Sequence, residues 1–170
     1  MRAYAVYLGA WLVVALSGCG TDVAHVPVPP NPPPMFMGDV VGVHDGDSIT
    51  VLAQGTRKTI RLVGIDCPET DQPFGAQATR VTRQLALNQT VTVTSFGRDR
   101  HHRLLGDIVL PDQRILAHEL VREGACWWYQ HYAPHSTTLQ TLEMDARTQK
   151  RGLWADPTPT PPWQWRKQRE

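Results

Sequence analysis

Short β-branched runs, each shut off by a turn, set the first limit on what this chain can fold into. VVGVH (40–44), SITVL (48–52) and KTIRLV (58–63) alternate in part and are separated by DGD and AQGTR, the spacing of a three-stranded meander. FGAQATRVTRQLALN follows, with Ala78, Val81 and Leu85 at helical spacing and Asn88 placed as a stop, and predicts a helix. TVTVTSF (90–96) alternates cleanly as a fourth strand, and LLGDIVL (104–110) is a fifth, closed by the turn PDQ. Two more helices are predicted. Residues 115–123 put Leu116, Leu120 and Val121 on one face before Gly124. Residues 136–151 turn Leu139, Leu142 and Ala146 inward between a Ser/Thr start and Gly152. The chain has no internal repeat.

Five short strands with a helix between the third and fourth is the order of an OB-type barrel. The expected class is therefore α+β, mainly β: a five-stranded OB-fold barrel with about three packed helices. A length of 170 residues, 41% hydrophobic and 19% charged, suits one such domain with a core of its own.

The ends read differently. Residues 1–19, MRAYAVYLGAWLVVALSGC, hold one charge, Arg2, then an apolar run and small residues before Cys19, the layout of an export signal too short to span a bilayer comfortably. The ending LSGC resembles a bacterial lipobox, which implies diacylation of Cys19 and anchoring in the cell envelope or periplasm. A plain secretory signal, giving a secreted protein, and a buried N-terminal helix stay open. Residues 20–38 carry no Lys or Arg and place six prolines between Pro27 and Pro34, so they read as a semi-rigid spacer in extended polyproline II. Residues 39–156 are assigned to the domain, and 157–170, rich in Pro and Trp, to a tail.

The chain holds 17 Lys and Arg against 16 Asp and Glu, and residues 1–19 contain one Arg and no acid, so residues 20–170 are balanced. A nucleic-acid binder relying on bulk positive charge is excluded, and any phosphate recognition has to be local.

Three sets of charged residues fall at strand ends or turns: Asp45, Gly46 and Asp47 in the DGD turn; Arg61 with Asp66 and Glu69 in RLVGIDCPE; and RDRHHR from Arg98 to Arg103. Alone, DGD is what any tight hairpin uses. Together the sets resemble the staphylococcal nuclease (thermonuclease) family. DGDSITV resembles the family's DGDT hairpin, RLVGIDCPE its arginine and D-x-P-E segment, and DRHHR its D-x-Y-G-R. LVREGACWWYQHYAP and ARTQKRGLW resemble its second helix with the following strand and its last helix, so the likeness runs in order over residues 40–154.

The resemblance implies an OB barrel and metal-dependent, usually calcium-dependent, cleavage of DNA and RNA by a monomer. By position it implies Asp47, Asp66 and the Cys67 backbone carbonyl as metal ligands, with Arg61 and Arg103 clamping the phosphate and Glu69 activating or orienting water. The chemistry is consistent: calcium takes hard oxygens, another divalent ion of that kind could serve, and guanidinium forks match a phosphate where lysine offers a point charge. Pro68 holds Cys67 out of the α region, so the chain itself turns the Cys67 carbonyl.

Where the family has Y-G before its second arginine, this chain has His101 and His102, losing a glycine. With Cys19 lipidated, Cys67 and Cys126 are the remaining pair; in the family fold they lie on neighbouring strands, and either a disulfide or two buried thiols is consistent. Tyr129 and Tyr132 are implied as substrate-pocket candidates, Trp127 and Trp128 as core or pocket, and Trp163 and Trp165 as tacking the tail down. The rival reading is a catalytically silent OB-fold lipoprotein that only binds nucleic acid.

Overall fold

The computed structural model describes residues 32–169. The elements run β1 (Met35–Val43), β2 (Ser48–Ala53), β3 (Thr56–Leu62), β4 (Ile65–Asp66), α1 (Gly75–Ala86), β5 (Thr90–Arg98), β6 (Leu104–Val109), α2 (Leu116–Arg122), β7 (Trp127–Trp128), α3 (Thr137–Thr148), a 3₁₀ turn (Gly152–Ala155) and α4 (Pro162–Lys167).

Five strands close a barrel in the order β1-β2-β3-β6-β5, with β1 serving both ends. Its first half pairs with β5, Met35 opposite Thr94, and its second half with β2, Val43 opposite Ile49; a bulge between Val40 and Gly42 lets one strand bend between two partners. The β3–β6 contact is parallel, the other four antiparallel. The expected OB-like α+β class is what forms.

Alternation builds the core. Ile49 and Val51, Ile60 and Leu62, Val91 and Val93, and Ile108 all turn inward and are buried, as β-branched residues at period two should be. Helix α2 seals the barrel with Leu116, Leu120 and Val121, and α3 adds Leu139. Asn88 takes the left-handed backbone, φ 63°, expected of the stop after α1.

Several boundaries move. Residues 35–38, assigned from sequence to the spacer, are the start of β1: none of the four is proline, so their N–H groups are free to pair, and Gly38 lies opposite Val91. The last predicted helix is shorter, since α3 ends at Thr148 and Lys150 adopts φ 51°; its start is as read, Ser136 accepting from the Leu139 N–H at 3.3 Å. Arg61 and Asp66 are not on one strand, because the chain breaks at Val63–Gly64 and Asp66 belongs to β4, paired with β7. The tail is structured: α4 is a fourth helix, with Pro162 in its first turn where a missing N–H costs nothing. Residues 1–19, Cys19 and most of the spacer lie outside the described residues.

Candidate active site

The DGD turn delivers Asp47 to one wall of a cavity at the barrel's edge. Asp45 Oδ1 accepts from the Asp47 N–H at 3.0 Å, an Asx turn that fixes the hairpin, and the Leu62 N–H donates to the Asp47 carbonyl at 2.9 Å. Gly46 is required by a close approach: a Cβ there would sit 2.6 Å from Cys67 Cβ and 2.9 Å from its sulfur. Buried Thr82 on α1 donates to the Gly46 carbonyl at 2.6 Å and holds the turn from behind.

Arg61, on β3 opposite Ser48, reaches along the same wall. Its Nη1 donates to the carbonyls of Leu62 and Ile65 at 3.0 and 3.1 Å and lies 2.9 Å from Asp47 Oδ2 as an ion pair; its Nη2 donates to Asp66 Oδ1 at 2.7 Å. The guanidinium thus ties both predicted metal carboxylates together. Its Nε–H and one Nη2–H remain for another acceptor. Both carboxylates are almost fully buried, and burial pushes the Asp47 carboxyl up to about 8 against the pull of Arg61.

Cys67 follows directly. Its N–H donates to Asp47 Oδ2 at 2.7 Å, and its side chain is disulfide-bonded to Cys126, Cα to Cα 4.2 Å. The bridge fastens β4 to the segment leading into β7, two strands of two residues each that pair Ile65 with Trp128 and Asp66 with Trp127.

Glu69 stands on the loop between β4 and α1. That loop curls so tightly that Gly75 leaves no space for a Cβ, which would fall on the Glu69 carbonyl. Buried Gln72 ties it internally: its Oε1 accepts from the Glu69 N–H at 3.1 Å, and its Nε2 donates to the Thr160 carbonyl at 2.6 Å. Glu69 Oε1 accepts from Arg166 Nη1 on α4 at 2.7 Å, and Arg166 Nη2 donates to Asp66 Oδ2 at 2.8 Å. Burial opposes the Arg166 charge, yet these two carboxylates hold its pKa above the ordinary arginine value.

Arg103 comes from the β5–β6 turn. Asp99 organises that turn, Oδ1 accepting from the N–H groups of His101 and Arg103 and Oδ2 from Arg103 Nε at 2.7 Å. Partial desolvation works upward on Asp99, but the Arg103 and His101 bonds hold it below the usual carboxylate range. The missing glycine is absorbed by His102, which takes φ 62° itself. Both histidines are exposed, and His101 borders the cavity.

These segments meet at one cavity of 780 Å³, whose lining includes Asp47, Arg61, Asp66, Cys67, Glu69 and Arg103, the six residues singled out for chemistry from the sequence. Tyr129 and Tyr132 border it too, Tyr132 largely exposed and set edge-on to Tyr129, with ring centroids 4.9 Å apart. Burial, then nearby Asp66, raise the Tyr129 hydroxyl above its ordinary value. Trp127 instead packs edge-on against Trp154 and Trp163.

A family model described as staphylococcal nuclease homologue matches residues 59–156. An uncharacterized endonuclease of Escherichia coli is 46% identical over 129 residues, covering 76% of this chain and 84% of that protein. The chain belongs to the staphylococcal nuclease family. A micrococcal nuclease of Shigella flexneri is 37% identical over 141 residues, 78% of this chain and 81% of its own. A staphylococcal-like nuclease of Arabidopsis thaliana is 34% identical over 117 residues, 69% of this chain but 35% of its own length. With the family comes the enzyme class, a nuclease that hydrolyses phosphodiester bonds.

The family usually takes calcium. Among the described residues no three His, Cys, Asp or Glu side chains converge on one point. The donor chemistry nevertheless fits a hard cation: Asp47, Asp66 and Cys67 border a cavity with room for water and a phosphate oxygen, and burial raises the Asp47 carboxyl, a cost that a bound cation would offset. Arg166, on the segment assigned from sequence only as a tail, also lines the cavity. Trp163 lies flat on Tyr129, with centroids 5.0 Å apart and an interplanar angle of 3°. The signal was present in WQWRK, directly after two prolines, where a short helix can begin.

Proposed function

We propose that this nuclease is calcium-dependent and cuts DNA, RNA or both outside the cytoplasm, as an endonuclease acting as a monomer. One observation carries the reading: Asp47, Arg61, Asp66, Glu69 and Arg103, drawn from four separate segments, line a single cavity. A module that only bound nucleic acid would have no use for Asp66 beneath two arginines, because a carboxylate repels a phosphodiester.

In this reading Asp47, Asp66 and the Cys67 carbonyl hold the cation. When bound, it polarises the phosphoryl group and neutralises developing charge. Arg61 meets the phosphate with its two remaining N–H donors, and Arg103 with its Nη groups, its Nε being held by Asp99. Glu69 keeps Oε2 for the proton of the attacking water, Oε1 being occupied by Arg166. Exposed Tyr132 and the Tyr129 ring offer stacking faces to unpaired bases.

Export through residues 1–19, with Cys19 lipidated and the proline segment as spacer, accords with the Cys67–Cys126 bridge, since disulfides persist in oxidising compartments. Two experiments test these points. Purified protein is incubated with single-stranded DNA or RNA, with calcium and then with chelator; cleavage is expected only with calcium, and cleavage undiminished by chelator sinks the metal assignment. Glu69→Gln and Arg61→Ala each lower kcat by at least about 100-fold if the roles are right. For anchoring, cells expressing the parent and Cys19→Ala are fractionated; the parent is expected in the membrane and the variant in the soluble fraction, and equal partitioning refutes lipidation.

A further inference from the structure

Three separate ties join the C-terminal segment to the loop that carries Glu69. Gln72 Nε2 donates to the Thr160 carbonyl, Arg169 pairs with Asp71, and Arg166 bridges Glu69 and Asp66. The segment is itself held firmly, by buried Pro162 and by Trp163 stacked on Tyr129 and set edge-on against Trp127. A strap meant to swing away would not be riveted at so many points. It is built as a wall.

Glu69 has little else to steady it. Its side chain is 38% exposed and Arg166 is its one ion-pair partner among the described residues, whereas Asp66 is gripped from both sides, by Arg61 on Oδ1 and Arg166 on Oδ2. A guanidinium is rigid and forked, so a single group contacting both carboxylates fixes the distance between them, which lysine cannot do.

We propose that Arg166 is a positioning residue for hydrolysis: it sets Glu69 against Asp66, committing one Glu69 oxygen and leaving the other to take the proton of the attacking water. The proposal rests on the reading of Glu69 as the water's partner. Arg166 acts through Glu69, and the C-terminal helix delivers it to the cavity wall.

The test is a kinetic cycle on the full-length protein with single-stranded DNA and calcium, comparing parent, Arg166→Gln, Arg166→Lys, Glu69→Gln and the double variant Glu69→Gln/Arg166→Gln. Loss of a supporting residue of this kind costs about 10–100-fold, expected in kcat for Arg166→Gln. KM should stay within about threefold of the parent, because ground-state substrate binding is untouched. Arg166→Lys, which keeps the charge and spares the fold, should recover part of the loss, and the double variant should be no slower than Glu69→Gln alone. Calcium affinity by calorimetry, read independently of turnover, should not weaken, since Arg166→Gln removes a positive charge beside Asp66.

An Arg166→Gln kcat equal to or above that of the parent overturns the proposal, since a helix that merely obstructs the cavity would speed cleavage when loosened. So does a double variant slower than Glu69→Gln, or a tenfold weakening of calcium binding, which would route the effect through the cation. If Glu69→Gln itself cuts as fast as the parent, the assignment of Glu69 fails and takes this proposal with it. If Glu69→Gln is slow and Arg166→Gln is not, the positioning role alone fails.

Discussion

Replacing Cys67 and Cys126 together by alanine tests how much of the fold near the site is clamped and not merely packed. The bridge joins residues 59 apart in sequence, and closing a loop of that length removes about 4 kcal/mol of chain entropy from the unfolded state. Local structure offers little replacement, because β4 and β7 contribute only two residues each to their ladder. A domain of this size holds roughly 5–15 kcal/mol in all, so the variant should remain folded at 25 °C while losing about a third or more of its stability. Guanidinium unfolding of parent, reduced parent and variant measures this: reduced parent and variant should agree with each other and fall about 3–5 kcal/mol below the oxidised parent. A loss under about 1 kcal/mol would refute the reasoning, showing that the unfolded chain gains little freedom when the bridge is absent. The site should feel the change as well. Cys67 supplies the N–H that holds Asp47 Oδ2, so calcium affinity should weaken in the variant even where it is fully folded.

Gly75→Ala places a methyl group on the Glu69 carbonyl and should cost about 1–3 kcal/mol by overpacking while lowering kcat through the displaced loop; a variant of parental stability and rate would show that the loop yields freely. Asp107 has its pKa raised by burial, partly offset by His118, so its folded value lies above the unfolded one; its contribution to stability is present at low pH and lost as pH rises through the folded value. Asp107→Asn should therefore gain on the parent in Tm between pH 4 and pH 8, and a difference independent of pH would show that the carboxyl is not desolvated as described.

The barrel was legible because its information is local. Ile49, Val51, Val91 and Val93 alternate within their own strands, and the turn residues between strands say where each ends. Asp47, Arg61, Asp66 and Glu69 were legible only as motifs that resembled a family, since the spacing of RLVGIDCPE cannot reveal that the chain breaks at Gly64 and presents Asp66 from a second strand. Arg61 was expected to clamp phosphate; its grip on both carboxylates and two carbonyls depends on where Ile65 and Asp66 fold back, a tertiary fact. Arg166 was hard to place for the opposite reason: the prolines before it mark where a helix can begin but not what that helix reaches. A six-residue helix after a proline run has too few turns to show a period, and its partners lie 97 and 100 residues away in sequence. The start of β1 was lost to the prolines before it, whose composition coloured Met35 and Phe36 although these can pair normally.

A balanced chain that handles a polyanion must concentrate its positive charge, and the cavity shows how far that goes. Five carboxyl groups, Asp45, Asp47, Asp66, Glu69 and Asp99, face four arginines, Arg61, Arg100, Arg103 and Arg166, so with Asp47 held neutral by burial the lining is balanced, and it is slightly negative once Asp47 ionises to meet a divalent cation. One cation makes it slightly positive, and one phosphodiester brings it to neutrality. Much of the arginine charge is already spent: Arg166 on Asp66 and Glu69, and Arg61 on Asp47 and Asp66. About one phosphate can then be neutralised, so log KM against log salt should rise with a slope of roughly 0.7 for single-stranded DNA. Initial rates across a series of sodium chloride concentrations at fixed saturating calcium measure that slope. A value above about 4 would mean that a longer run of substrate lies on basic surface outside the cavity, and the confinement of recognition to these arginines would be wrong. A shallow slope that becomes shallower in Arg103→Ala would place that arginine among the groups that displace counterions from the strand.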